Sequence, residues 1–241
     1  MIIMAVYACS DFHGCIDFYK AIKNFIKPED KVYFLGDAGD RGPEPWETIK
    51  AVLCDPQFVY IKGNHEDMLI DAIRDALEGD NMYMYSYRLL ASNGGADTLD
   101  QAMLEQNPAM WMRQLKTLPT FEKYVNTEGE VIYLSHAGFT PWYKDNESFD
   151  IQIPVNRELI WNRDHFLDDF DAIEWAPITI VHGHTPIPYL WEDLRVPEED
   201  QEKGALWYAN GRKLCIDTGA VWTGHCVLVN LDTWDEEIFE I

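Results

Sequence analysis

The sequence has few basic residues, no closely spaced cysteine pair and no long apolar run. Its 241 residues include 19 Lys and Arg against 42 Asp and Glu, a formal net charge of -23. This charge argues against nucleic-acid binding and against binding to anionic membranes, because both surfaces are held by basic patches. A phosphate-bearing substrate must therefore be bound at a local positive site, since the overall field repels it.

The five cysteines form an odd set without a Cys-x-x-Cys pair, which indicates buried, reduced thiols. The apolar start, residues 1–6, lacks basic residues and leads directly to Asp11, so it predicts a first strand and not a signal peptide. No apolar run approaches the roughly 18 residues that a membrane span requires. We therefore expect a cytoplasmic protein, and nothing in the sequence indicates an oligomeric state.

The length and the 47% hydrophobic content predict one α/β domain over residues 1–241. Strands alternate with helices as far as Gly79, the pattern of a layered α/β fold. Residues 80–118 are rich in methionine and aromatics and predict a small helical insert, which either packs as a unit or forms a wall beside the substrate. Phe121–Val125 and Val131–Leu134 predict a hairpin, and Pro186–Arg212 predicts a surface loop or long hairpin.

Five of the predicted strands end on residues that can bind a metal or a phosphate. Open α/β sheets bind their ligands at this edge, so the five loops should meet at one site. No cysteine lies in these motifs, and the oxygen and nitrogen donors suit two divalent ions, Mn first and Fe or Zn as alternatives. The candidate metal ligands are Asp11, His13, Asp37, Asn64, His136 and His184.

A two-metal hydrolase needs one ligand shared by both ions and private ligands for each. Asp11 and His13 are two residues apart at a strand end and can bind the same ion, while Asp37 can bridge to the second. Two dications less two carboxylates and one hydroxide leave about +1, which attracts a phosphate dianion. The bridging water, with its pKa lowered towards ~7, would attack phosphorus as hydroxide.

Proton donation and phosphate binding are assigned to four further residues. His65 follows Asn64 directly and can protonate the leaving oxygen, and Asp40 can hydrogen-bond His65 and keep it charged. Arg41 and Arg163 suit the non-bridging phosphoryl oxygens, because a guanidinium binds phosphate through two parallel hydrogen bonds.

The ordered motifs resemble the signature of calcineurin-like metallophosphoesterases, and most closely the small bacterial and phage Ser/Thr protein phosphatases. The resemblance implies a four-layer sandwich of two mixed β-sheets flanked by helices. It also implies Asp11, His13 and Asp37 on one ion, with Asp37, Asn64, His136 and His184 on the other. The motifs that carry it are Asp11-Phe12-His13-Gly14, Gly36-Asp37-Ala38-Gly39-Asp40-Arg41-Gly42, Gly63-Asn64-His65-Glu66, Ser135-His136-Ala137-Gly138, Gly183-His184-Thr185 and Ile216-Asp217-Thr218-Gly219.

The resemblance implies a metal-dependent phosphomonoesterase that acts on a phosphorylated protein or a small phosphoester, most simply a Ser/Thr protein phosphatase. A symmetrical diadenosine tetraphosphate hydrolase is the alternative, and the tyrosines and Arg88 of the insert keep it open as groups for binding adenine and additional phosphates. A non-catalytic phosphate-sensing scaffold is a remote third hypothesis, which the complete ligand set together with His65 disfavours.

Overall fold

The computed structural model describes residues 4–79, 83–140, 142–143, 151–152, 156–164, 178–201 and 204–241. Two five-stranded sheets form its centre, in the orders β12-β11-β1-β2-β3 and β4-β5-β8-β10-β9, and a two-stranded ribbon pairs β6 with β7. The strands are β1 (Val6–Cys9), β2 (Lys31–Phe34), β3 (Phe58–Tyr60), β4 (Phe121–Val125), β5 (Val131–Ser135), β6 (Trp142–Tyr143), β7 (Ile151–Gln152), β8 (Ile178–His182), β9 (Leu206–Tyr208), β10 (Lys213–Cys215), β11 (His225–Asn230) and β12 (Glu236–Glu240).

Both sheets are mixed. In the first, β1, β2 and β3 run parallel, and β11 and β12 close the sheet in antiparallel pairs. In the second, β5, β8 and β10 run parallel, with β4 and β9 as antiparallel edge strands. The carboxyl ends of the parallel strands therefore define one edge of each sheet.

Helices surround the sheets, and none in the described part of the chain is long and apolar enough to cross a membrane. The insert contains three of them, which confirms its predicted helical character. The helices are α1 (Ile16–Phe25), α2 (Pro45–Cys54), α3 (Asn64–Glu78), α4 (Tyr83–Ser92), α5 (Ala96–Leu104), α6 (Pro108–Lys116), α7 (Asn156–Trp161), α8 (Ile187–Asp193) and α9 (Ala220–Thr223).

The two faces of the first sheet belong to different cores, because side chains alternate along a strand. In β11, Val227 and Val229 join a cluster shared with β5, β8 and β10 of the second sheet, which is the interface between the sheets. Cys226 and Leu228 face the opposite way, into the core that holds α1, α2, α3 and the insert. A separate cluster packs α7 on the second sheet. The predicted fold, two mixed sheets flanked by helices, is confirmed.

The segment Pro186–Arg212 is predicted to be a surface loop or long hairpin, and its structure is more regular than that. It contains helix α8, whose Ile187 and Leu190 are buried with Cys215, and strand β9, which does pair with β10 as a hairpin. The closing strand β12 was not predicted, because its acidic residues are mostly exposed at a sheet edge and lack an alternating apolar pattern.

Candidate functional site

The predicted site residues follow the carboxyl ends of β1, β2, β3, β5 and β8, and the fold brings these loops together. The loops are tied by backbone hydrogen bonds: Asp11 N–H donates to Gly36 O at 3.0 Å, and Gly183 N–H donates to His136 O at 2.8 Å. His184 N–H in turn donates to the Asp11 carboxylate at 3.2 Å. Strand order in the two sheets therefore explains the convergence of residues separated by up to 173 positions.

Backbone strain is concentrated at the site. Six site residues have positive φ, a region that costs a non-glycine residue roughly 1–3 kcal/mol. These are Asp11 (55°), His13 (43°), Asp37 (59°), Asp40 (69°), Arg41 (65°) and His184 (71°). Such conformations persist only where the surroundings impose them, so the loops are held in a defined shape.

Asp37 lies at the centre of the arrangement. Its Oδ2 is 3.4 Å from His136 Nε2 and 3.7 Å from the Nε2 atoms of both His13 and His65. Two groups of potential metal-binding atoms share this carboxylate: His13, Asp37 and His65 form one, and Asp37, His136 and His184 form the other. A carboxylate common to two ligand groups is the arrangement that a bridging ligand requires.

Backbone carbonyls orient two of the imidazoles. Nδ1 of His13 donates to Gly39 O at 3.0 Å, and Nδ1 of His136 donates to Leu35 O at 2.6 Å. Each bond directs Nε2 into the centre, the usual way in which a second hydrogen bond fixes a metal-binding histidine. Nε2 of His136 also lies 2.9 Å from Asn64 Oδ1 and 3.1 Å from His184 Nδ1.

Unpaired polar atoms test whether the site fits a metal. Within the described part of the chain, the buried Asp11 Oδ1 and His184 Nε2 have no hydrogen-bond partner. A buried polar atom without a partner is costly, and two at one locus indicate a missing ligand. Together with the nitrogen and oxygen donors around Asp37, they fit a pair of divalent ions.

The charges of the cluster are strongly coupled. Burial opposes ionisation of Asp37, but the imidazoles of His136 and His65 hold the pKa of its carboxyl well below its usual range. Burial likewise opposes a charge on His136, yet Asp37 raises its pKa to about 10. Burial and the nearby Asp217 raise the pKa of Asp11 well above its usual range. The carboxylate of Asp37 is thus held in the charged form that a bridging metal ligand requires.

His65 is bound by Asp40 on the side away from Asp37. Its Nδ1 lies 2.5 Å from Asp40 Oδ2, and the other carboxylate oxygen of Asp40 accepts a hydrogen bond from Thr98 of the insert. Burial alone would lower the pKa of His65, but Asp37 and the hydrogen bond to Asp40 raise it. The predicted hydrogen bond between His65 and Asp40 is therefore present. His65 also lies close enough to Asp37 to belong to the group of potential ligands that contains His13, a place that the sequence motifs assign to Asp11.

The two arginines lie at different places in the site. Arg41 donates from Nη1 to His13 Nε2 at 2.7 Å and from Nη2 to His65 Nε2 at 3.0 Å. Arg163 donates to Thr185 Oγ1 at 3.1 Å, and its charge contributes, after burial and His136, to the lowered pKa of His184. Arg41 therefore lies beside the ligand group that contains His13 and His65, and Arg163 lies beside the group that contains His184.

Sequence analysis gives no role to Glu66, although it quotes the residue within a motif. The buried Glu66 carboxylate accepts hydrogen bonds from the backbone N–H groups of Asp37 (2.9 Å), Ala38 (3.0 Å) and Gly63 (2.8 Å). It also accepts one from the Tyr60 hydroxyl at 2.7 Å. These bonds join the loop after β2 to the start of α3 and hold Asp37 in its strained conformation.

Asp217 is a second residue that sequence analysis leaves without a role. It is buried behind Asp11, its pKa is raised to about 6 by burial, and its Oδ1 accepts a hydrogen bond from Gly219 N–H at 2.8 Å. Asp217 follows β10 at the same sheet edge, and that position is the signal which could have assigned it. It anchors the turn that leads to α9.

Comparison with known proteins agrees with this geometry. The family model for calcineurin-like phosphoesterases matches residues 4–225. The chain belongs to this family. A symmetrical bis(5'-nucleosyl)-tetraphosphatase of Dechloromonas aromatica is 24% identical, over 99% of this chain and 96% of that protein. Serine/threonine-protein phosphatase 2 of Salmonella typhimurium is 26% identical, over 91% of this chain and 89% of its own.

Solved structures show the same fold. A protein serine/threonine phosphatase from Saccharomyces cerevisiae superimposes with a TM-score of 0.57 at 15% sequence identity, covering 99% of this chain and 80% of the other. The protein is thus a metallophosphoesterase of a binuclear, metal-dependent family, as the sequence motifs predict. One of these relatives is named as a tetraphosphatase and the other as a protein phosphatase. The predicted preference for phosphoproteins is therefore not confirmed.

Replacing Asp37 with Asn should remove both ions. The substitution deletes the charge shared by the two ligand groups, so elemental analysis after reconstitution with Mn should fall from about two ions per chain towards none. The exposed Asp100→Asn is the matched control and should retain wild-type content. Two ions retained in the Asp37 variant would contradict a bridging role.

Glu66→Gln should loosen the site without touching a proposed ligand. The amide NH₂ of glutamine would replace a carboxylate oxygen that accepts hydrogen bonds, and it would then face donors. We therefore expect the free energy of unfolding to fall by about 1–3 kcal/mol and Mn binding to weaken. Thermal unfolding and Mn titration measure both effects. Glu78→Gln, at the exposed end of the same helix, is the control. If the two variants behave alike, Glu66 does not hold the loops.

Proposed function

We propose that this metallophosphoesterase hydrolyses symmetrical dinucleoside tetraphosphates, adding water across a P–O–P bridge to give two nucleoside diphosphates. The observation that supports hydrolysis is Asp37, shared by two ligand groups and flanked by His65 and the guanidinium of Arg41. The choice of substrate draws on the tetraphosphatase relative and on the space and groups beside the site.

The proposed ligands are those expected from sequence, with Asp37 shared. Asp11 and His13 serve one ion, and Asn64, His136 and His184 serve the other. Two divalent ions, Mn by the criterion of donor type with Fe or Zn as alternatives, would supply a Lewis acid and lower the pKa of bound water to about 7. The surrounding Glu66, Gly39 and Leu35 contacts keep these side chains oriented in advance.

His65 is the proposed proton donor. Asp40 binds its Nδ1, so Nε2 is the nitrogen that faces the reacting group, and against the effect of burial Asp37 and Asp40 raise the pKa of the imidazole above its usual value. Donation from Nε2 to the leaving oxygen would neutralise the diphosphate as it departs. The contact of Asp40 with Thr98 links this donor to the insert.

Arg41 is the proposed clamp for the attacked phosphoryl group. Its guanidinium now donates to the Nε2 atoms of His13 and His65. A phosphoryl group is a stronger, charge-assisted acceptor than either imidazole, so substrate binding would draw both η nitrogens onto its oxygens. This transfer would free Nε2 of His65 for the leaving oxygen. Arg163, held by Thr185, is the proposed partner of the remaining oxygens.

A cavity beside the site offers room for more than a phosphate. It measures about 570 Å³, within the range of small-molecule sites, and lies between α3, α4 and α7. Its walls include Lys62, two residues before Asn64, and Trp161, two residues before Arg163. Tyr85 of the insert and Arg157 also line it. Three carboxylates of α3 also line it, so its aromatic groups suit a neutral nucleoside and not additional phosphates.

Phosphoprotein hydrolysis is the second candidate. The Salmonella typhimurium relative, a serine/threonine-protein phosphatase by name, spans nearly the whole chain at slightly higher identity than the tetraphosphatase. The proposed hydrolysis is the same for both substrates, because the clamp contacts the transferred phosphoryl group and the proton donor contacts only the oxygen that leaves it. The two candidates differ in what lies beyond that group.

His65→Asn should separate proton donation from metal binding. We expect kcat to fall by roughly 10²–10⁴ while Mn content stays near two per chain. The loss should be smaller for p-nitrophenyl phosphate, whose leaving group needs less protonation. Loss of one ion in this variant would instead make His65 a ligand, the alternative that its distance from Asp37 leaves open.

A substrate panel tests the proposal. The Mn-loaded protein should convert diadenosine tetraphosphate to ADP alone, as measured by mass spectrometry. The kcat/KM for this substrate should be well above that for a phosphoserine peptide. Tyr85→Ala should reduce that value and spare p-nitrophenyl phosphate, whereas Tyr189→Ala, an equally exposed tyrosine on α8, should change neither.

The other outcomes are equally decisive. Preference for the phosphopeptide would replace the proposal with protein phosphatase activity. Absence of turnover on every substrate, with Mn bound, would favour the phosphate-sensing scaffold.

A further inference from the structure

A large aromatic side chain lies exposed beside the clamp. Trp222 is 58% exposed, and its indole ring centroid is 5.3 Å from the Cζ of Arg41. None of the roles above uses this residue. An exposed indole keeps apolar surface in contact with water, at a free-energy cost that burial by a ligand would remove. Its position next to the reacting centre makes it a candidate for contact with a ligand.

The backbone around Trp222 has a defined conformation. Trp222 lies on the short helix α9, between Gly219 and Gly224, both with φ of 72°. Trp222 N–H donates to Gly219 O at 2.8 Å. Gly219 N–H is itself bound to the buried Asp217 carboxylate at 2.8 Å. Because each end of the turn requires a left-handed conformation that glycine supplies, the turn has a defined shape that presents Trp222 outward.

Arg41 is fixed from the opposite direction by the insert. Its N–H donates to Gly94 O at 3.1 Å, and its Nε donates to Asn93 O at 3.4 Å. A Cβ on Gly94 would lie 2.9 Å from Arg41 Cγ, so glycine permits this close approach. The guanidinium is thus placed between the insert and Trp222, with its η nitrogens directed at His13 and His65.

We propose that Trp222 is a stacking surface for a nucleobase of the substrate. The proposal rests on the proposed function for the substrate class. In a dinucleoside tetraphosphate, an α-phosphate and a ribose separate the attacked phosphorus from the base. A base joined in this way to a phosphoryl group on Arg41 can extend to the indole, whose ring centroid lies 5.3 Å from Cζ of Arg41.

The stacking contact also suits the charge of the protein. A base is neutral, so its attraction to an indole is not opposed by a net charge of -23, whereas each added phosphate is repelled outside the clamp. Arg41 approaches the ring, and more than half of the side chain remains accessible. Base–aromatic stacking tolerates every base, so this surface would select dinucleotides over phosphopeptides without selecting among purines and pyrimidines.

Kinetics separate stacking from a positioning role towards Arg41. Trp222→Ala should raise KM for diadenosine tetraphosphate by about 5- to 150-fold with kcat nearly unchanged, and Trp222→Phe should recover most of the loss. p-Nitrophenyl phosphate, which carries no base, should be unaffected. Trp207→Ala, which removes another exposed tryptophan packed on Trp234, is the control. An equal loss on both substrates, or an unchanged KM for the dinucleotide, would overturn the proposal.

A binding measurement gives an answer that does not depend on turnover. With 5-fluorotryptophan incorporated, the ¹⁹F resonance of Trp222, identified by its absence in Trp222→Phe, should shift on addition of ADP. Ribose 5-phosphate and inorganic phosphate, which carry no base and reach only Arg41, should give a smaller shift. An absent shift at saturating ADP, or the same shift with phosphate alone, would overturn the stacking role.

The two proposals can fail separately. If the wild type prefers the phosphopeptide but ADP still shifts the Trp222 resonance, the substrate assignment is wrong and the stacking surface stands. If the wild type cleaves the dinucleotide and neither KM nor the resonance responds, the stacking surface is wrong and the substrate assignment stands.

Discussion

The buried carboxylate of Glu66 is the contact on which the site depends. Three backbone N–H groups and the Tyr60 hydroxyl donate to it, and these donors come from the loop after β2, the end of β3 and the start of α3. Without this acceptor, several buried donors would lose their partners at once. Glu66 thereby stabilises the positive φ of Asp37, which directs the shared carboxylate towards three imidazoles.

A second constraint is electrostatic. A protein with a net charge of -23 can bind phosphate only where positive groups are concentrated and water is excluded. The fold brings four histidines and two arginines to one sheet edge, but the buried carboxylates of Asp11, Asp37, Asp40, Glu66 and Asp217 lie there too. The positive charge for phosphate would therefore come from the arginines together with bound divalent ions. Metal binding and phosphate binding thus depend on the same small region of the surface.

The sequence predicts the fold and the position of the site because both follow from local patterns. Apolar runs that end on Asp11, Asp37, Asn64, His136 and His184 identify the strand ends, and parallel pairing brings those ends together. The roles of individual residues depend on longer-range contacts. Glu66 and Trp222 are defined by partners 29 and 181 positions away, and His65 lies between two roles that spacing alone does not separate.

Elements without a clear apolar pattern were predicted least well. Helix α8 begins with Ile187-Pro188, which resembles a loop, yet Ile187 and Leu190 pack on Cys215 from another strand. Strand β12 is acidic and exposed and pairs only with β11. Both are imposed by tertiary contacts, which override local preference.

The most direct test of the account is anomalous diffraction from crystals of the Mn-loaded protein. It predicts two anomalous peaks about 3.5–4 Å apart, with the Asp37 carboxylate coordinating both. A single peak, or two peaks that do not share Asp37, would contradict the central claim that this carboxylate bridges two ions.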